Sequence, residues 1–254
     1  MIAAQDLLGW VQLYFWPFLR ISALFIISPV FSANSVPVRV RVMLAIMIAV
    51  LLAPFLQVPV AVDLVSPAGL LLASREIAIG LLFGFLVQMV FAAVVVAGET
   101  LAMSMGLGFA MSVDPQNGVQ VPVVSQFNSL LATLLFLAID GHLLVVAALA
   151  RSFTLLPVEA TSLDPRFFLS VFELGGTIFA TALLLALPAV TAVLVTNIAF
   201  GVITRAAPQL NIFAVGFPVT ITVGLVFMML SLPGFLSKLE RVLFAVIDRG
   251  LAIF

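Results

Sequence analysis

Three observations predict an all-α integral membrane protein. Of 254 residues, 64% are hydrophobic and only 8% charged, whereas soluble domains carry about 25% charged residues. The mean hydropathy is +1.35. Apolar runs of membrane-helix length, about 20 residues, follow one another with short polar breaks between them. The net charge of −1 offers no basic surface for nucleic acid, so none is expected as a partner. With no cysteine and one histidine, the chain has no disulfide, thiolate or multi-histidine metal chemistry, and no cofactor is expected.

The runs fall at residues 7–31, 42–62, 77–97, 127–150, 167–200 and 212–236, about six hydrophobic elements in one membrane domain spanning 1–254. The first twenty residues lack the basic start of a signal peptide and carry Asp6, which favours an uncleaved first helix over cleavage near Ser32-Ala33. The break at 32–41 holds a turn and two arginines, Arg39 and Arg41. The break at 63–76 contains Ser66-Pro67 and the pair Arg75-Glu76, and that at 151–166 contains Pro157 and Pro165. The fifth run is too long for one ordinary span, and Pro188 is expected to break or kink it. Residues 238–254 alternate charged and apolar types, as in a short amphipathic tail helix. With six spans, Arg75, Arg151, Arg166, Lys238, Arg241 and Arg249 share one side and Arg39, Arg41 and Arg205 the other, and six against three favours a cytoplasmic N-terminus.

Several runs are poor lipid-facing helices. Arg20 sits within the first, Asp140-Gly141-His142 interrupts the fourth, and Glu173 lies in the fifth; Pro17, Pro54 and Pro218 fall within others. A charge at the bilayer centre costs at least about 2.5–3.5 kcal/mol, so these helices should pack against protein. Gly80 and Gly84 form a small-xxx-small pair that permits close helix approach.

The stretch from Met103 to Pro122, MSMGLGFAMSVDPQNGVQVP, cannot be a regular span. Gly106, Gly108 and Gly118 weaken a helix and Pro115 removes a donor. It is either an ordinary connecting loop or a re-entrant element lining a path, where non-helical backbone is tolerated. Its methionines and Phe109 suit a deformable seal. Catalytic signals are weak. No Gly-rich phosphate loop is present, and His142 belongs with a helix-end turn rather than a catalytic pair. Glu99, after Gly98, reads as a cap or inter-helix hydrogen bond, with proton coupling the sharper alternative. An enzyme is not expected.

Four blocks in order carry a family likeness: RISALFIISPVFSANSVPVRVRV (20–42), REIAIGLLFGFLVQMVFAAVVVAGETLAMSMGLGFAMSVDPQNG (75–118), SQFNSLLATLLFLAIDGHLLVV (125–146) and RAAPQLNIFAVGFPV (205–219). The chain resembles the FliR family of flagellar export-gate components and its injectisome counterparts in type III secretion. The resemblance implies bent helical hairpins, a FliP-like part through residue 166, and a FliQ-like hairpin with tail over 167–254. It implies assembly with FliP-like and FliQ-like subunits and recruitment of an FlhB-like subunit. Unfolded flagellar subunits would pass through the assembly, driven mainly by the proton motive force. The location implied is the bacterial inner membrane, in the flagellar basal body, with gate helices largely above the membrane plane. A pore plug would map onto Met103, Met105, Gly106, Leu107, Gly108, Phe109, Met111 and Asp114. Partner contacts or intramembrane polar sites would be Arg20, Glu99, Asp140, Glu173, Arg205 and Gln209. A secondary transporter of a small solute and a non-transporting scaffold are the competing classes.

Overall fold

A computed structural model describes residues 4–33, 35–56, 64, 66–108, 122–158, 166–209 and 212–252. Among the described residues all regular structure is helical: α1 (Ala4–Ile27), α2 (Val38–Leu52) with a closing 3-10 turn (Ala53–Phe55), α3 (Pro67–Ser104), α4 (Val123–Ala138), α5 (Gly141–Leu155), α6 (Arg166–Ala206) and α7 (Ile212–Ala252). Among the described residues five helices are long and apolar enough to cross a membrane, and six if α4 and α5 count as one broken span. The all-α membrane fold is therefore as expected.

Several boundaries differ from the sequence expectation, each for a local reason. α3 starts at Pro67 rather than near 77, because the Ser66 hydroxyl accepts from the Gly69 amide at 3.0 Å and Pro67 suits a first turn. Arg75 and Glu76 thus sit inside a helix rather than in a loop. Arg39 and Arg41 likewise lie in the first turn of α2, which opens after Pro37. The fourth run is broken where expected: Asp140 adopts a left-handed conformation (φ 55°), and its carbonyl accepts from Leu143 and Leu144 to start α5. Residues 238–252 are not a separate tail helix. They continue α7, because Phe235, Leu239, Leu243 and Val246 carry one buried stripe while Glu240, Arg241, Asp248 and Arg249 face outward.

Pro188 does not break α6. A proline at that position denies the Leu184 carbonyl its helical donor. Lys238 supplies the replacement, its Nζ donating to Leu184 O at 3.2 Å.

The chain divides into two compact units, each assembled from separate stretches. The first comprises Met1–Met89, Asp140–Leu174 and Leu243–Phe254. Its core joins Trp16, Ile21 and Leu24 of α1, Ile79, Phe83 and Leu86 of α3, and Val145 and Leu149 of α5. The glycine pair seats α3 on α1: a Cβ at Gly80 would strike the Arg20 carbonyl, and one at Gly84 would lie 2.8 Å from the Leu24 carbonyl. The second unit comprises Val90–Ile139 and Gly175–Val242. There Gly98 packs on Ser125, whose hydroxyl donates to Val95 O at 3.2 Å, and Phe91 meets Phe136 edge to face.

Candidate functional site

Arg20 is fully buried in the first unit, with its charge met by protein. Its Nε donates to Glu76 Oε2 at 2.7 Å and its Nη2 to Glu76 Oε1 at 2.8 Å, a two-pronged fork within a pair that is 0% exposed on both sides. Nη1 donates to the Ser152 hydroxyl at 3.0 Å, Nη2 also reaches the Leu156 carbonyl at 3.1 Å, and the guanidinium lies 3.9 Å over the Phe153 ring. Arg75 donates through Nη1 to the carbonyls of Pro157 and Val158 at 3.1 and 3.3 Å. The last carbonyls of a helix lack internal donors and carry its negative dipole end. Leu156 caps α5 and Pro157 and Val158 follow it, so two arginines from α1 and α3 hold the chain where it leaves α5, and one carboxylate ties them together. The arrangement is a clasp that locks three helices in register.

A second constructed feature, in the second unit, ends α3. The Gly106 amide donates to Met103 O at 3.1 Å and the Leu107 amide to Ala102 O at 3.0 Å, with Gly106 at φ +83°. This pair of bonds around a left-handed glycine is a Schellman stop. The remaining carbonyls are reached from outside: Asn197 Nδ2 donates to Ser104 O at 3.4 Å, and the Thr220 hydroxyl, shared with Phe217 O at 3.0 Å, lies 3.4 Å from Met105 O. The Met105 side chain is buried among Leu101, Ala102, Val124, Ala189 and Val193, with Leu107 packed against the cluster. A Cβ at Gly224 would overlap the Met105 side chain, and one at Gly106 would strike the Phe217 ring. The root of the glycine-rich stretch is therefore held on every side.

Of the plug residues expected from sequence, Met103 is exposed, Met105 is core, Leu107 and Gly108 are half-buried, and Phe109, Met111 and Asp114 lie outside the described residues. Of the polar positions, Arg20 is the centre of the clasp and Asp140 marks the α4–α5 break. Glu99 does not end a helix: it is half-buried inside α3 and makes no hydrogen bond or ion pair among the described residues. Glu173 lies on α6 with its side chain outside the described part, Arg205 is exposed in the last turn of α6, and Gln209 is exposed in the following turn. Sequence reasoning missed Glu76 as the counterion, along with Ser152, Thr220 and Gly224. The usable signal was the stripe Glu76, Ile79, Gly80, Phe83, Val87, which continues the α3 face across the supposed loop.

Long apolar helices, a buried ion cluster and a glycine-stopped break together define a polytopic helical membrane protein. Residues 11–246 match the family described as bacterial export proteins, family 1, and the chain belongs to that family. It is 43% identical over 228 residues to the flagellar biosynthetic protein FliR of Pectobacterium carotovorum subsp. carotovorum, covering 90% of this chain and 87% of that one. It is 43% identical over 235 residues to FliR of Escherichia coli K12 (91% and 88% covered), and 30% identical over 218 residues to FliR of Bacillus subtilis 168 (85% and 84%).

Proposed function

We propose that this chain is a channel-forming subunit of the flagellar type III protein export gate, in the bacterial inner membrane at the flagellar basal body. Membership of the FliR family makes it a component of the flagellar export apparatus, and the near full-length match is the observation that carries the reading. In the proposed gate it assembles with FliP-like and FliQ-like subunits, recruits an FlhB-like one, and passes unfolded flagellar subunits. Residues 1–166 act as the FliP-like part and 167–254 as the FliQ-like hairpin with its tail. The hairpin assignment is supported by Leu185 and Ala189 of α6 and Met228 and Phe235 of α7 lining one small cavity, and by the Lys238 bond to Leu184 O between the two helices.

The stretch from Met103 to Asp114 is proposed as the plug. A pore wide enough for an unfolded chain dissipates the ion gradient unless closed, and a methionine- and phenylalanine-lined constriction closes by dewetting. The Schellman stop supports this by giving the stretch a fixed root. Deleting Phe109–Asp114, which keeps Gly106 and the Leu107 amide in place, should leave the gate assembled with its partners but leaky to ions and small solutes, measured as conductance or solute uptake in cells expressing the gate. Replacing Phe109 and Met111 by alanine should give a milder leak. An intact complex with unchanged conductance after the deletion refutes the plug. A chain that transports a small solute as a homo-oligomer, with no FliP-like or FliQ-like partner, refutes the gate.

A further inference from the structure

In the first unit, α1 and α2 leave between them an open groove of about 330 Å³. Val11, Tyr14, Phe15 and Phe18 line it from α1, and Ile46 and Val50 from α2; Tyr14 alone among the lining residues carries a polar side-chain atom. On α2, Val42, Met43, Ile46 and Val50 form one exposed apolar stripe. Arg39 stands on that same stripe, two helical turns before Ile46, or roughly 10 Å along the axis. It is exposed and has no ion-pair partner among the described residues. Both helices are long and apolar enough to lie in a membrane.

We infer that this groove holds an acyl chain of an anionic phospholipid whose phosphate is paired by Arg39. An apolar trough ending at one cation about 10 Å away complements a lipid with a charged head and an apolar tail. An arginine near the membrane surface extends its guanidinium to the headgroup while its stem covers apolar surface. A helix from another protein would fill the trough but would need its own carboxylate for Arg39. The lipid meets both demands with one molecule that the membrane already supplies.

The test uses the full chain with its co-purifying membrane proteins in nanodiscs. The discs contain either phosphatidylglycerol or phosphatidylcholine carrying a photoreactive diazirine on the acyl chain. Adducts on Tyr14, Phe18, Ile46 and Val50 are compared, by peptide mass spectrometry, with those on the exposed α6 residues Leu194 and Ile198. Groove adducts should favour phosphatidylglycerol, while the α6 reference shows no such preference. Arg39→Gln should cut the preference roughly fivefold, the worth of one surface arginine against an anionic lipid. Ile46→Phe, at an exposed position that fills the trough without disturbing the core, should lower groove adducts from both lipids. Equal adducts from the two lipids, an unchanged preference in Arg39→Gln, or no groove adducts because a partner helix covers the site would each overturn the inference.

Discussion

Glu76→Gln tests the clasp most directly, because it removes one charge and keeps the shape. Both members of the pair are wholly buried, so the Arg20 charge left behind has no solvent to relax into. Removing one partner of such a pair costs about 3–5 kcal/mol. Glutamine keeps one carbonyl acceptor for Arg20, which places its cost near the lower end. A loss of about 3 kcal/mol corresponds to roughly 6–12 °C in Tm for a domain of this size. The assay is thermal unfolding of the full chain in its detergent-solubilised complex, followed by tryptophan fluorescence and by protease resistance. The double replacement Arg20→Met with Glu76→Leu separates the charge effect from packing. It removes this pair but leaves Arg75, 3.7 Å from Glu76, without its counterion, and the Leu156 carbonyl without its donor, the latter at a cost of about 1–3 kcal/mol. The double variant should thus be less destabilised than the sum of its single changes. Unchanged stability of Glu76→Gln, or strict additivity in the double variant, would refute the clasp.

Gly106→Ala forces a Cβ into a left-handed conformation and against Phe217, costing roughly 1–2 kcal/mol; faster hydrogen exchange at the Gly106 and Leu107 amides, with the α1–α3 amides unchanged, is the expected signature. Gly80→Val drives a side chain into the backbone carbonyl of Arg20, which cannot rotate away. It should separate α1 from α3 and sharply reduce the amount of protease-resistant chain in membranes. Lys238→Met strips Leu184 O of its substitute donor and should destabilise α6 locally by about 0.5–1.5 kcal/mol, read as faster amide exchange around the proline. Adding Pro188→Ala to Lys238→Met returns the helical donor and should restore exchange to the parent rate.

Apolar run length made the helices legible, while two ends were misjudged where charges fall near a helix end, at Arg75-Glu76 and after Lys238. Arg75 and Glu76 looked like loop residues because isolated charges disfavour a membrane helix. In the fold Glu76 is met by Arg20, and Arg75 reaches the Pro157 and Val158 carbonyls just after α5, partners far away in sequence. The residues after Lys238 looked like a separate helix for the same reason. Gly80 and Gly84 were legible, since close approach needs the absence of a side chain and glycine announces that directly. Pro188 was legible as a disturbance but not in its outcome, which depends on Lys238 fifty residues later. The glycine-rich stretch was recognised as a break, yet Met105 was assigned with its neighbours on composition. Composition does not tell a core methionine from an exposed one, and Met105 is 1% exposed where Met103 is 64%.

That contrast bears on what can move. Ser104, Met105 and Leu107 are fixed by backbone bonds, by Thr220 and Asn197, and by a packed apolar cluster. Displacing this root means exposing Met105 and leaving carbonyls without donors, each at a cost of about 1–3 kcal/mol. In the proposed plug, motion therefore begins beyond Leu107, and Met105 serves as anchor rather than seal. The same economy shapes the rest of the chain. About 67% of the most apolar part of α3 is buried within the protein, against 17% for α2 with its 3-10 turn and 17% for α7. In the first unit Arg20, Arg75 and Glu76 are buried while apolar side chains such as Met43, Met47, Leu51 and Leu71 face outward. Apolar surface on that scale calls for lipid or partner helices. The inner clasp makes such a surface tolerable, because α1, α3 and α5 keep their register whatever covers the outside.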